Sequence, residues 1–154
     1  MILEILRAGN PVLKQKSVPV DRVDKKIRRL LDDMAATMRL NNGIGLAAPQ
    51  IGKNIRVIVI ELDDHRYDII NPVITKREGT VIDTEGCLSV PEWFGEVERS
   101  ERIEVEFLNR YGKKQVVQAE GLLARCFQHE IDHLEGKLFT DIAKSVHRGE
   151  DKES

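Results

Sequence analysis

The stretch Gln128-His129-Glu130-Ile131-Asp132-His133 constrains this chain more than any other. Two of the four histidines stand four residues apart, with a glutamate directly after the first. Four residues is just over one helical turn, so on a helix both imidazoles share a face and can hold one divalent ion with two nitrogens. Glu130 then lies about 100° round the axis, placed to address a metal-bound water without being a ligand. An ion so held makes its water acidic, and the carboxylate can take the proton and later return it. The surrounding residues support a helix. Gly121 to Glu135 contains no proline, and Leu122, Leu123, Cys126, Phe127, Ile131 and Leu134 surround most of the axis, as on a buried helix. Gly136 stands where a left-handed C-cap belongs, followed by Lys137 at the negative helix end. Histidine pairs at this spacing also occur on helices that bind nothing. Here, however, buried charges and imidazoles need partners, and a metal supplies one.

The 154 residues are expected to form a single domain over 1–154, long enough to bury a core unaided. A net charge of −2 gives no global basic field, so no nucleic-acid site is expected. No apolar run approaches the roughly 20 residues that cross a bilayer, and Glu4 interrupts the first apolar residues, which excludes a signal peptide there. With only Cys87 and Cys126, the reading is a soluble, cytoplasmic protein whose cysteines bind metal or pack.

In chain order, residues 1–20 read as irregular, and a helix is expected from about Asp24 to Leu40. There Val23, Ile27, Leu30, Leu31, Met34 and Met38 recur at three- and four-residue spacing, with Asp21 or Asp24 as the cap. Gly43-Ile-Gly-Leu-Ala-Ala-Pro-Gln50 reads as a small-residue turn that lets another backbone come close, and only Gln50 in it can point a neutral donor into a site. Strands are expected over Arg56–Leu62 and Tyr67–Ile74, the second at a sheet edge because of Pro72. Further extended pieces are expected over Thr80–Thr84, Phe94–Glu98, Arg102–Leu108 and Gln115–Ala119, with a turn at Lys76–Gly79. Glu85 to Pro91 reads as a loop. Residues from about 144 to 154 read as a frayed or disordered charged tail, with His65 and His147 exposed.

A catalytic ion needs a third ligand and an open position. Cys126 shares the histidine face, but it precedes His133 by seven residues, about 10.5 Å of axis. Bonds of about 2.0–2.3 Å cannot span that. Cys87 is free of this limit and is assigned to the metal; its bland alternative is a small buried apolar residue. Cys126 is assigned to packing.

Gly43–Gln50, Glu85-Gly-Cys-Leu-Ser89 and Gln128–His133 together closely resemble peptide deformylase, in order and spacing, over nearly the whole chain. The resemblance implies an α+β fold with antiparallel β-sheets packed around a central metal-binding helix and an N-terminal helix outside. It implies a hydrolase that removes the N-formyl group from the formyl-methionine of nascent polypeptides, releasing formate, with at most a transient ribosome contact. The ion would be Fe²⁺, replaceable by Zn²⁺, Ni²⁺ or Co²⁺, held by Cys87, His129 and His133. Glu130 would be the general base and acid, with Gln50 and the Leu88 N–H stabilising the oxyanion. Gly45 would bind the substrate backbone. Ile44, Leu122, Arg125, Cys126 and His129 would line the methionine pocket, and Glu85 would pair with Arg99. Two positions depart from the pattern: Arg125, whose stem would pack while its head reaches water, and Phe94, where some relatives carry arginine. A zinc endopeptidase shares His-Glu-x-x-His, but its extended form needs a histidine where Phe139 stands, or Glu150 or Glu153 as ligand. A binding module with a structural, four-ligand metal would recruit Cys126.

Overall fold

The computed structural model describes residues 1–149. Helix α1 (Lys25–Leu40) starts where the Asp24 side chain accepts the Ile27 N–H at 3.1 Å, satisfying a donor that the helix cannot. A five-stranded antiparallel sheet takes β1 (Gly45–Ala47), β2 (Val57–Leu62), β3 (His65–Glu78), β6 (Arg102–Leu108) and β7 (Lys114–Glu120), in that spatial order. A second sheet takes β4 (Val81–Cys87), β5 (Val90–Arg99) and β8 (Ser145–Arg148). Helix α2 (Gly121–Leu134) and the short α3 (Phe139–Ile142) complete the chain.

The unbroken apolar run of β2 has a direct cause. Ile58 and Ile60 pack with Ala124, Cys126 and Phe127 of α2 on one face. Val57 and Val59 pack with Leu31, Met34 and Met38 of α1 on the other. A strand covered on both faces has no polar side to show. β6 carries Ile103, Val105 and Phe107 to the α2 face and alternates with charged residues, as a half-covered strand does. The α+β arrangement, with α2 central and α1 outside the sheet, is the expected one.

Four local expectations are corrected. β3 is not an edge strand but lies between β2 and β6. Asn71 adopts φ 53° and the register shifts between Ile70 and Val73, so Pro72 sits in a bulge where no ladder N–H is needed. β3 also runs on through Lys76–Glu78, where a turn was expected. Residues 43–51 form β1 and a 3₁₀ turn over Ala48–Ile51, not a plain loop. Cys87 ends strand β4, joined to β5 across the two-residue turn Leu88–Ser89.

The frayed tail is corrected over Ser145–Arg148, which pair antiparallel with Glu96–Trp93 of β5. Aromatic partners explain the ordering: Arg148 lies 5.8 Å above the Trp93 ring and His147 stacks on Phe94 at 6.3 Å. Residues 150–154, with Glu150 and Glu153, lie outside the described residues. Among the described residues, no helix is long and apolar enough to cross a membrane.

Candidate metal centre

Helix α2 lies with its apolar face on the five-stranded sheet and its polar face toward the β4–β5 hairpin. This places His129 and His133 opposite Cys87. One ligand atom from each of Cys87, His129 and His133 lies within 4.8 Å of the others. Cys87 Sγ is 3.4 Å from His133 Nε2. The Nδ1 of His129 bonds Glu85 Oε1 at 2.8 Å, which leaves Nε2 as the nitrogen that faces Cys87. Burial drives the His133 pKa well below its ordinary value, keeping it neutral as ligation requires. At His129 burial acts the same way, but hydrogen bonds to Cys87 and Glu85 outweigh it and hold that pKa well above the ordinary value.

These residues fit a divalent ion. A soft sulfur and two imidazoles form a donor set for iron, zinc, nickel or cobalt. Glu130 stands beside them, fully within the protein, with Oε1 buried and unpaired. Burial raises its pKa to about 7, the range in which a carboxylate can both accept and return a proton. Gly45 abuts this carboxylate: a Cβ there would stand 2.7 Å from Glu130 Oε2 and 3.0 Å from Cys126 Sγ.

Gln50 is fixed by its own turn. Its Oε1 accepts the Ala47 N–H at 2.9 Å, so Nε2 faces Ser89 Oγ at 3.1 Å and Cys87 Sγ at 3.6 Å. The chain's first residues brace both loops, Leu6 N–H donating to the Gln50 carbonyl and Ala8 N–H to that of Ser89. In front lies a cleft of about 590 Å³, bordered by Ile44, Gly45, Gln50, Cys87, Leu88, Leu122, Cys126 and Glu130 among others. β1 and β4 are both edge strands of their sheets, and both border this cleft.

A model of the polypeptide deformylase family matches residues 2–149. The chain belongs to the polypeptide deformylase family. It is 50% identical over 147 residues to the peptide deformylase of Desulfitobacterium hafniense, covering 96% of this chain and 98% of that one. The structure of the Thermotoga maritima peptide deformylase superposes with a TM-score of 0.92 at 39% identity, covering 94% and 99% of the two chains. That of the Synechococcus elongatus peptide deformylase, solved with actinonin, gives 0.91 at 43% identity over 93% and 79%.

The cleft of this deformylase brings together Gly45, Gln50, Cys87, Leu88, His129 and Glu130, and His133 adjoins it through Cys87; two side chains stand otherwise than expected. Arg125 does not send its head to water. The residue is 8% exposed, and its guanidinium turns inward to Glu85 at 2.7 Å. Phe94, which stands where some relatives carry arginine, borders the cleft, and its ring also covers Gly86 and Gly149. Glu85 and Arg99 pair as expected, at 2.8 and 2.9 Å. Cys126 lies behind Gly45 and does not join the three converging groups, and Phe139 stacks on His129 at 6.1 Å. Ser89 and Asp132 escaped the sequence reading. Asp132 could have been found from its place seven residues after Arg125 and three after His129, on one helical stripe.

Proposed function

We propose that Cys87, His129 and His133 hold one divalent ion, Fe²⁺ in the cell and replaceable by Zn²⁺, Ni²⁺ or Co²⁺. Around it the chain carries out its family's reaction, the hydrolytic removal of the N-formyl group from nascent polypeptides. The convergence of one sulfur and two imidazoles beside a buried glutamate carries this reading. When bound, such an ion acidifies a coordinated water and polarises a carbonyl oxygen.

The residues do the rest. An extended formyl-methionyl peptide lies between the free edges of β1 and β4 as an added strand, with Gly45 allowing close approach. Its methionine side chain enters between Ile44, Leu122 and Cys126. Glu130 takes the proton of the attacking water and delivers it to the departing amine, leaving formate and a free N-terminus. The Gln50 amide, whose orientation Ala47 fixes, and the Leu88 N–H beside Cys87 hold the oxyanion that develops at the formyl carbonyl. A thiol at the metal and two unpaired cysteines suit a reducing, cytoplasmic setting. The whole chain acts as a single domain, and its encounter with the ribosome is transient.

Formate release from a formyl-methionyl tripeptide, by protein purified without oxygen, tests this. Wild type should release one formate per free amine formed, and Glu130→Ala should keep its metal while losing at least about 100-fold in kcat. Full turnover by Glu130→Ala would remove the glutamate from its role. Casein cleavage without formate release would point to an endopeptidase.

A further inference from the structure

Arg125 is the least expected residue at this site. Its stem borders the cleft, but its charge is buried, and a buried guanidinium persists only with good partners. It has three. Nη1 donates to Glu85 Oε2 at 2.7 Å and to the Val97 carbonyl at 2.9 Å, and Nη2 donates to the Val81 carbonyl at 2.8 Å. Val81 opens β4 and Val97 lies on β5, so one planar group fastens both strands of the hairpin to α2.

The consequence reaches the metal ligands through two short paths. Glu85 and Cys87 are two apart on β4, so their side chains leave the strand on the same side. Glu85 also accepts from Arg99 on β5 with both oxygens and bonds His129 Nδ1 through Oε1. On α2, Arg125, His129 and Asp132 recur at steps of four and three. They meet Glu85, Glu85 and Arg99 in turn, the last through Arg99 Nη1 to Asp132 Oδ2 at 2.5 Å. Gln128 extends the seam by accepting the Ser100 N–H and donating to the Ser100 carbonyl, both at 2.9 Å.

We infer that Arg125 is a positioning residue for the metal centre. It holds the hairpin that carries Cys87 in register with the helix that carries His129 and His133, and steadies the carboxylate that orients His129. This rests on the proposed ligand set and adds a residue to it. Selectivity for methionine does not depend on Arg125, because its charge points away from the cleft. Lysine cannot replace it fully, since a single ammonium cannot span three acceptors held by a planar fork.

Co²⁺ loaded without oxygen into wild type, Arg125→Met and Arg125→Lys tests the inference. The measurements are affinity by chelator competition, the thiolate-to-cobalt absorption band, and the kcat/KM ratio for formyl-Met against formyl-Leu peptides. Arg125→Met should bind cobalt about 10- to 100-fold more weakly, with a shifted or weakened band, and Arg125→Lys should fall between. The selectivity ratio should stay within about twofold of wild type. Wild-type cobalt affinity and spectrum in Arg125→Met overturn the inference, as does a changed ratio with metal binding intact, which would make Arg125 a pocket residue. Should Arg125→Met fail to fold, Arg125→Lys decides alone, and wild-type affinity and spectrum there overturn it. Absence of the thiolate band in wild type would instead strike the ligand set itself.

Discussion

Gly45 marks how little room remains behind the reacting groups. Its Cβ-sized space is already taken by Glu130 Oε2 and Cys126 Sγ. Gly45→Ala must therefore push the carboxylate aside, and misplacement by about an ångström can cost on the order of 100-fold. We expect kcat for formyl-peptide hydrolysis to fall about 10- to 100-fold, with the bound metal unchanged. Steady-state kinetics alongside metal analysis check this, and an unaltered kcat would show that Glu130 tolerates the shift. At this scale the sequence was most informative where one helix sets the geometry. His129, Glu130 and His133 are spaced by the helix itself, so their shared face could be read from spacing. Cys87 needed an argument by reach. The inward turn of Arg125 could not be read, because spacing places a side chain on a helical face without saying which element covers it.

At the level of elements, α2 is held by its apolar face. Phe127 is fully buried, in edge contact with Tyr67 at 5.8 Å and tilted against Phe107 at 6.1 Å. Phe127→Ala should cost about 3–5 kcal/mol, transfer and cavity contributions together. Urea unfolding of the metal-loaded protein measures this, and a loss below about 1 kcal/mol would mean that the core can collapse round the gap. The strands β2 and β6 were legible because burial on two faces or one leaves a plain pattern. β3 was misread because a bulge accommodates proline inside a sheet, and only the pairing reveals the bulge. β8 was misread as tail because all four of its residues are exposed, so it carries no apolar alternation. Its partners, Trp93 to Glu96, lie far back along the chain on β5.

For the whole molecule, surface charge clusters reinforce joins between elements that the core already makes. Asp32 on α1 binds Arg66 of β3 and Arg110 of the β6–β7 turn. Chiefly through its hydrogen bond to Arg110, its pKa falls from 3.8 to about 2. A carboxylate with a depressed folded-state pKa stabilises the fold above its ordinary value, and that contribution disappears as the pH falls from 3.8 towards 2. Asp32 is half exposed, so solvent screens the effect to a modest size. The stability gap between wild type and Asp32→Asn, from urea midpoints, should be widest near neutrality and close across that window. A gap that widens on acidification would contradict the assignment.

All of the chemistry depends on two sheets and one helix bringing a sulfur and two imidazoles to one point. Anomalous diffraction at the metal absorption edge, from crystals of protein kept reduced, tests that most directly. The expected result is a single peak within about 2.0–2.4 Å of Cys87 Sγ, His129 Nε2 and His133 Nε2, with Glu130 beside it but not bonded. A peak bonded to Cys126, or none between Cys87 and the two histidines in metal-replete crystals, would contradict the account.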